Sequence, residues 1–162
     1  MLSREELEAN AETQKHIDAV RRYMRRIAVD LLKRGEGHDA SKLGEEEREI
    51  FAKYTSRLKG MTYGSAEYEK CREEMKPALD HHYAKNRHHP EHFVAGINDM
   101  TLVDVVELFC DWFASSQRHH DGNILKSITH NKERFQISDQ LVSLLFKNIK
   151  QQRNAKDFIK NH

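Results

Sequence analysis

The sequence predicts an all-α protein, and three observations carry that expectation. Only two prolines and seven glycines interrupt 162 residues. Charged residues make up 33 % of the chain and are spread along all of it. Apolar residues return at three- and four-residue intervals, the period of a helix with one buried face, which leaves strands little support. A chain of this length buries one continuous core without outside staples. The expected architecture is therefore a single domain, a bundle of five to seven helices with its core spanning about residues 14–150.

The elements follow in order. A first helix is predicted from Ser3, which begins the capping-box pattern SREE, to about Lys33, with Gly35 and Gly37 ending it. On it Val20, Tyr23, Ile27 and Leu31 form an apolar stripe, and His16 lies on that stripe. A second, more polar helix follows HDASKLGEEE and fades near KGMTYGS. The third starts near Ser65 and runs toward His88; Pro77 within it implies a kink or an altered start, and Pro90 ends it. The fourth, from Thr101 to about Gln117, is the most apolar stretch of the chain. From HHDGN through ISDQLVSLLFKNI the spacing gives one or two further helices, with Ser138 as a cap and a lysine-rich end expected to fray.

Charge and cysteine usage exclude several classes of partner. Lys plus Arg number 27 against 26 for Asp plus Glu, so no net field draws DNA or an anionic membrane, and nucleic acid is unsupported as a ligand. Cys71 and Cys110 are far apart in helix-like segments and lack the spacing of a secreted disulfide framework. The N-terminal residues are charged from the third onward, with no apolar leader and no run long enough to span a bilayer. The expected location is the cytoplasm.

Five of the eleven histidines fall in residues 81–92, HHYAKNRHHPEH. A solvated polar surface is one explanation. The other is metal binding, because several neutral imidazoles beside carboxylates suit Zn, Fe, Mn or Co. On a helix, His81 and His88 share one face and His82 and His89 another, so one pair faces the core. His82 and His89 are the preferred pair, since His89 directly precedes the Pro90 break; His88 is next. No Cys-x-x-Cys accompanies them, which argues against a zinc knuckle. Upstream, HDASK sets His38 and Asp39 side by side after a glycine-rich break, where both can turn toward one ion. Downstream, Asp104, Glu107 and Asp111 share a helical face that is either solvated or, if buried, in need of a partner.

HIDAVRRYM at His16, HDASK 22 residues later and LFCDWFA at Asp111 together resemble the H…HD…D signature of the HD-domain metal-dependent phosphohydrolases, in order and in helical setting. Ser41 stands where that central motif usually has glycine. HHPEHFVAGINDMTLVDVVELFCDWFAS resembles the HD-GYP branch, but the Gly-Tyr-Pro triplet is missing. More closely, HDASK with HHYAKNRHHPEHF and CDWFASS is similar to an uncharacterised family of small bacterial and phage proteins, over about Gln14 to Asn131.

The resemblance implies an HD-like bundle in which His16, His38, Asp39 and Asp111 bind a primary divalent cation, one of Mn, Fe, Co, Zn or Mg. Dinuclear relatives add histidines between the HD dipeptide and the last Asp, and His82, His88 and His89 are the matching candidates. Lys42 matches a residue that approaches substrate phosphate or a bridging ligand, His88 is a candidate proton donor to the leaving oxygen, and Lys85 and Arg87 are nearby cations able to grip phosphate. The implied activity is hydrolysis of a nucleotide or other small phosphate ester, since a divalent cation lowers the pKa of water toward ~7 and neutralises phosphoryl charge. A dinuclear iron oxygenase on the HD fold and a non-catalytic, metal-stabilised binding module are the alternatives, and a homodimer is compatible with each.

Overall fold

The computed structural model describes residues 2–62, 65–118 and 122–160. Among these residues it contains seven α-helices, three 3-10 turns and no strand, so the protein is all-α. By its contacts the chain divides into two compact units, Met1–His38 and Asp39–His162.

The first unit is helix α1, Arg4–Gly37. The Ser3 hydroxyl accepts the Glu6 N–H at 3.2 Å while the Ser3 N–H donates to the Glu6 carboxylate at 2.6 Å, closing the expected capping box. The helix runs through Gly35 and Gly37 rather than ending before them. Each glycine costs about 1 kcal/mol relative to alanine in a helix, which does not stop one already nucleated. No residue of α1 is buried, and Val20, Tyr23 and Ile27 of its apolar stripe are exposed.

The second unit contains α2 (Glu45–Lys59), α3 (Ala66–Glu74), α4 (Lys76–Lys85), α5 (Leu102–Ser116), α6 (Ile124–Phe135) and α7 (Asp139–Lys160). Short 3-10 turns at Ala40–Leu43, Pro90–His92 and Gly96–Asp99 join them. The stretch expected as one helix from Ser65 to His88 is two. Pro77 sits in the first turn of α4, where its missing N–H is not needed. The helix then stops at Lys85, because Asn86 turns extended and bonds the His82 carbonyl through both its backbone N–H (3.0 Å) and its side-chain amide (2.8 Å).

Helix α5 begins and ends as the sequence predicts, with a capping box between Thr101 and Asp104. Asn123 caps α6, and the Ser138 hydroxyl accepts the Leu141 N–H at the start of α7. Tyr63 and Gly64, expected near the end of the second helix, and His119, His120 and Asp121 of HHDGN lie outside the described residues.

Two apolar clusters hold the unit together. The larger joins Leu108, Phe109 and Trp112 of α5 to Ile124 and Ile128 of α6 and to Ile137, Val142 and Ile149 around α7. The smaller packs Tyr54, Cys71 and Met75 with Ile50 and Phe51. Among the described residues, no helix is long and apolar enough to cross a membrane.

Candidate metal centre

Several segments of the second unit meet at one polar point: the turn after Asp39, the first turn of α2, the end of α4, the loop that follows it, and α5. Asp39 opens the Ala40–Leu43 turn with a left-handed backbone, φ 57° and ψ 13°. Asp and Asn tolerate that region better than most residues with a Cβ. Its Oδ2 takes a hydrogen bond from Lys42 Nζ at 2.5 Å, and its Oδ1 faces the imidazoles of His82 and His88 at 3.2 and 3.5 Å.

The imidazoles are oriented from behind. His82 is buried, and its Nδ1 lies 2.9 Å from Oε2 of Glu47, which is itself fully buried. Glu47 only accepts, so Nδ1 is the donating nitrogen of that pair, and the contact turns Nε2 toward Asp39 and His89. His88, equally buried, repeats the arrangement with Nδ1 3.2 Å from Glu107 Oε1. His89 brings its Nε2 to 2.9 Å from that of His82. Burial, then the repulsion of His88 and His82, push the His89 pKa down to about 2, so this ring is neutral.

Ring nitrogens thus converge on one another and on a carboxylate oxygen, an arrangement that a shared cation or proton would relieve. Donor atoms of Asp39, His82, His88 and His89 all fall within 4.8 Å of one another. Bonds of about 2.0–2.1 Å to nitrogen and oxygen imply donor–donor edges of about 3.3–3.4 Å in a tetrahedron and about 3.0 Å between neighbours in an octahedron. The observed separations of 2.9, 3.2 and 3.5 Å bracket both. Charge agrees with geometry: the carboxylates of Asp39, Glu47, Glu107 and Asp111 outnumber the ammonium of Lys42, a balance that favours a cation. The cluster has the donors, spacing and charge that could hold a metal ion.

The sequence-predicted residues distribute unevenly around this point. Asp39, His82, His88 and His89 come together. The expectation that one helical pair faces inward and the other outward fails, because α4 ends before His88 and the loop brings His88 and His89 back beside His82. His81, the remaining member, bonds Glu47 at 2.7 Å. Asp111 is half-buried on α5, accepts the Ser115 hydroxyl at 3.4 Å and acts on His89 through space. His16 is exposed on α1 and His38 closes the first unit, while Asp39 and Asp111, the members of the expected quartet in the second unit, present carboxylate oxygens within 4.8 Å of each other. Lys42 is engaged by Asp39. Arg87 is engaged by Asp104, which accepts both arms of its guanidinium at 3.1 and 3.2 Å. Lys85 is exposed at the end of α4.

Glu47 and Glu107 were not among the candidates. Glu47 shares a helical face with Ile50 and Tyr54, both packed inward, and that spacing marks it as the buried member of the Glu45–Glu46–Glu47 run.

Fold and site together define an all-helical protein with a buried histidine–carboxylate centre. Residues 5–154 match the Family of unknown function (DUF5662), and the chain belongs to that family. No curated protein and no solved structure matches it.

Proposed function

We propose that this chain is a metal-dependent phosphohydrolase acting on a nucleotide or another small phosphate ester. The observation that carries the reading is the double support of the site: two buried glutamates turn two imidazoles so that their Nε2 atoms face Asp39 Oδ1. Asp39, His82, His88 and His89 would hold the cation. When bound, it supplies a water of lowered pKa and charge neutralisation at phosphorus. Lys42 keeps Asp39 Oδ2 occupied, so the carboxylate offers one oxygen. Asp111, half-buried and in electrostatic reach of His89, is the proton acceptor in this reading, and the exposed ammonium of Lys85 meets the substrate phosphate. The resemblance of HDASK and LFCDWFA to the HD-domain phosphohydrolases supports the same chemistry.

The test is elemental analysis of protein purified without chelator, followed by phosphate release from an aryl phosphate and from nucleoside monophosphates with Mn, Co, Zn, Fe and Mg. The wild-type chain should retain about one cation per chain at a site of this kind and release phosphate only when loaded. Asp39→Ala should lose both properties. Wild-type metal content in Asp39→Ala, or no phosphate from any ester with the loaded wild-type chain, rejects the assignment.

A further inference from the structure

Three of the donors are each gripped from behind: Asp39 by Lys42, His82 by Glu47 and His88 by Glu107. The two glutamates come from different helices and do the same thing to different rings. Glu47 accepts hydrogen bonds from His81 (2.7 Å), His82 (2.9 Å) and the Ser41 hydroxyl (3.0 Å), and Asn86 in turn donates to that hydroxyl at 2.8 Å. Its neighbours Glu45 and Glu46 stay exposed in the same helical turn, whereas Glu47 is fully buried. The Glu107 side chain is 9 % exposed. Desolvating a carboxylate costs several kcal/mol, and a helix start would accept a solvated glutamate at no such cost. Packing alone gives no reason for either burial.

We propose that Glu47 and Glu107 are positioning residues that fix His82 and His88 as Nε2 donors, making a preformed site of three nitrogens and one oxygen that selects a transition cation such as Zn(II), Co(II) or Fe(II) over Mg(II). The inference rests on the metal-centre part of the proposed function and is independent of the hydrolytic step. A carboxylate hydrogen-bonded to the far ring nitrogen sets the tautomer and raises the basicity of the near one, and removing such a support costs about 10–100-fold in metal affinity. Imidazole-rich donor sets suit the later transition ions, whereas Mg(II) requires oxygen and retains its waters.

The experiment is competitive titration of the metal-free full chain with Co(II) against a chelating indicator, read also by the visible spectrum of bound Co(II), in wild type, Glu47→Gln and Glu107→Gln. Each variant should bind Co(II) about 10–100-fold more weakly. The melting temperature of the metal-free protein should hold or rise, because glutamine keeps the volume and removes a buried charge. Excess Mg(II) should leave bound Co(II) in place. Ser41→Ala, which deletes one hydrogen bond to Glu47 and the 3.0 Å contact of the same hydroxyl with His82 Nδ1 but leaves both glutamates in place, should weaken binding in the same direction by less. If one glutamine variant does not fold, the other, on a separate helix, decides the matter. Wild-type affinity in the folded glutamine variants, with a lowered melting temperature of the metal-free form, would mean a packing role and overturn this inference alone. Displacement of Co(II) by Mg(II) overturns the selectivity. A wild-type chain that binds no Co(II) overturns the metal centre and this inference together.

Discussion

Helix α5 serves two buried regions, and they are stabilised by opposite means. Leu108, Phe109 and Trp112 enter the apolar cluster with α6 and α7, while Asp104 is withdrawn from water into an ion pair with Arg87 and Glu107 into a contact with His88 Nδ1. In the apolar cluster each large side chain contributes about 1.5–3 kcal/mol by leaving water, whatever else is bound. Around Asp39, burial alone is unfavourable: carboxylates are withdrawn from water beside ring nitrogens, and a cation among them would offset that cost. Equal depth in the fold therefore does not mean equal contribution to stability. One region is finished when the chain folds, and the other keeps a set of donors that could hold an ion.

The sharpest way to separate the two is a substitution in the apolar cluster. Ile128 is 0 % exposed, so Ile128→Ala should cost about 2–5 kcal/mol. Urea denaturation should return the same loss with and without chelator. A loss that depends on metal would break the distinction between the regions. The complementary experiment is chelation of the wild-type chain. With cation at about 100 times its dissociation constant, removal should lower stability by about 2.7 kcal/mol, and the same treatment should do nothing to Asp39→Ala. The smallest effect belongs to the surface. The hydrogen bond and charge of Lys132 hold the exposed Asp139 carboxyl below its ordinary value of 3.8. Its contribution is therefore present above that value and lost as pH falls through the lowered one. Lys132→Ala should flatten the acid limb of a stability-against-pH profile slightly, and an unchanged profile would remove the pair from the account.

Much of the fold was legible because its signals are local. The capping box at Ser3 and the cap at Ser138 need only three or four residues to be recognised, and each begins a helix where the sequence places it. The histidine cluster was legible as a cluster for the same reason. Its internal geometry was not. The helix carrying His82 ends at Asn86, not Pro90, because one amide side chain competes for a carbonyl, and nothing in the residue pattern ranks that competition above four further residues of helix. The partners of the imidazoles were hidden by distance along the chain. Glu47 is 35 residues from His82, and Asp104 is 17 from Arg87, so neither pairing has a period to read. The face shared by Asp104 and Glu107 was visible from spacing alone, but whether water or protein covered it depended on how α5 meets the loop after α4.

The left-handed backbone at Asp39 sets two demands against each other at a single position. A residue with a Cβ gives up about 1 kcal/mol to sit there, and glycine would not. The carboxylate that faces His82 and His88 can come only from a residue that accepts that strain. Improvement of foldability and retention of the centre consequently pull in opposite directions at this residue. Glycine at position 39 would relieve that strain in chelator, whereas with cation at about 100 times its dissociation constant the lost donor, worth about 2.7 kcal/mol, outweighs it, so selection for heat resistance would keep or discard Asp39 according to the metal in the medium.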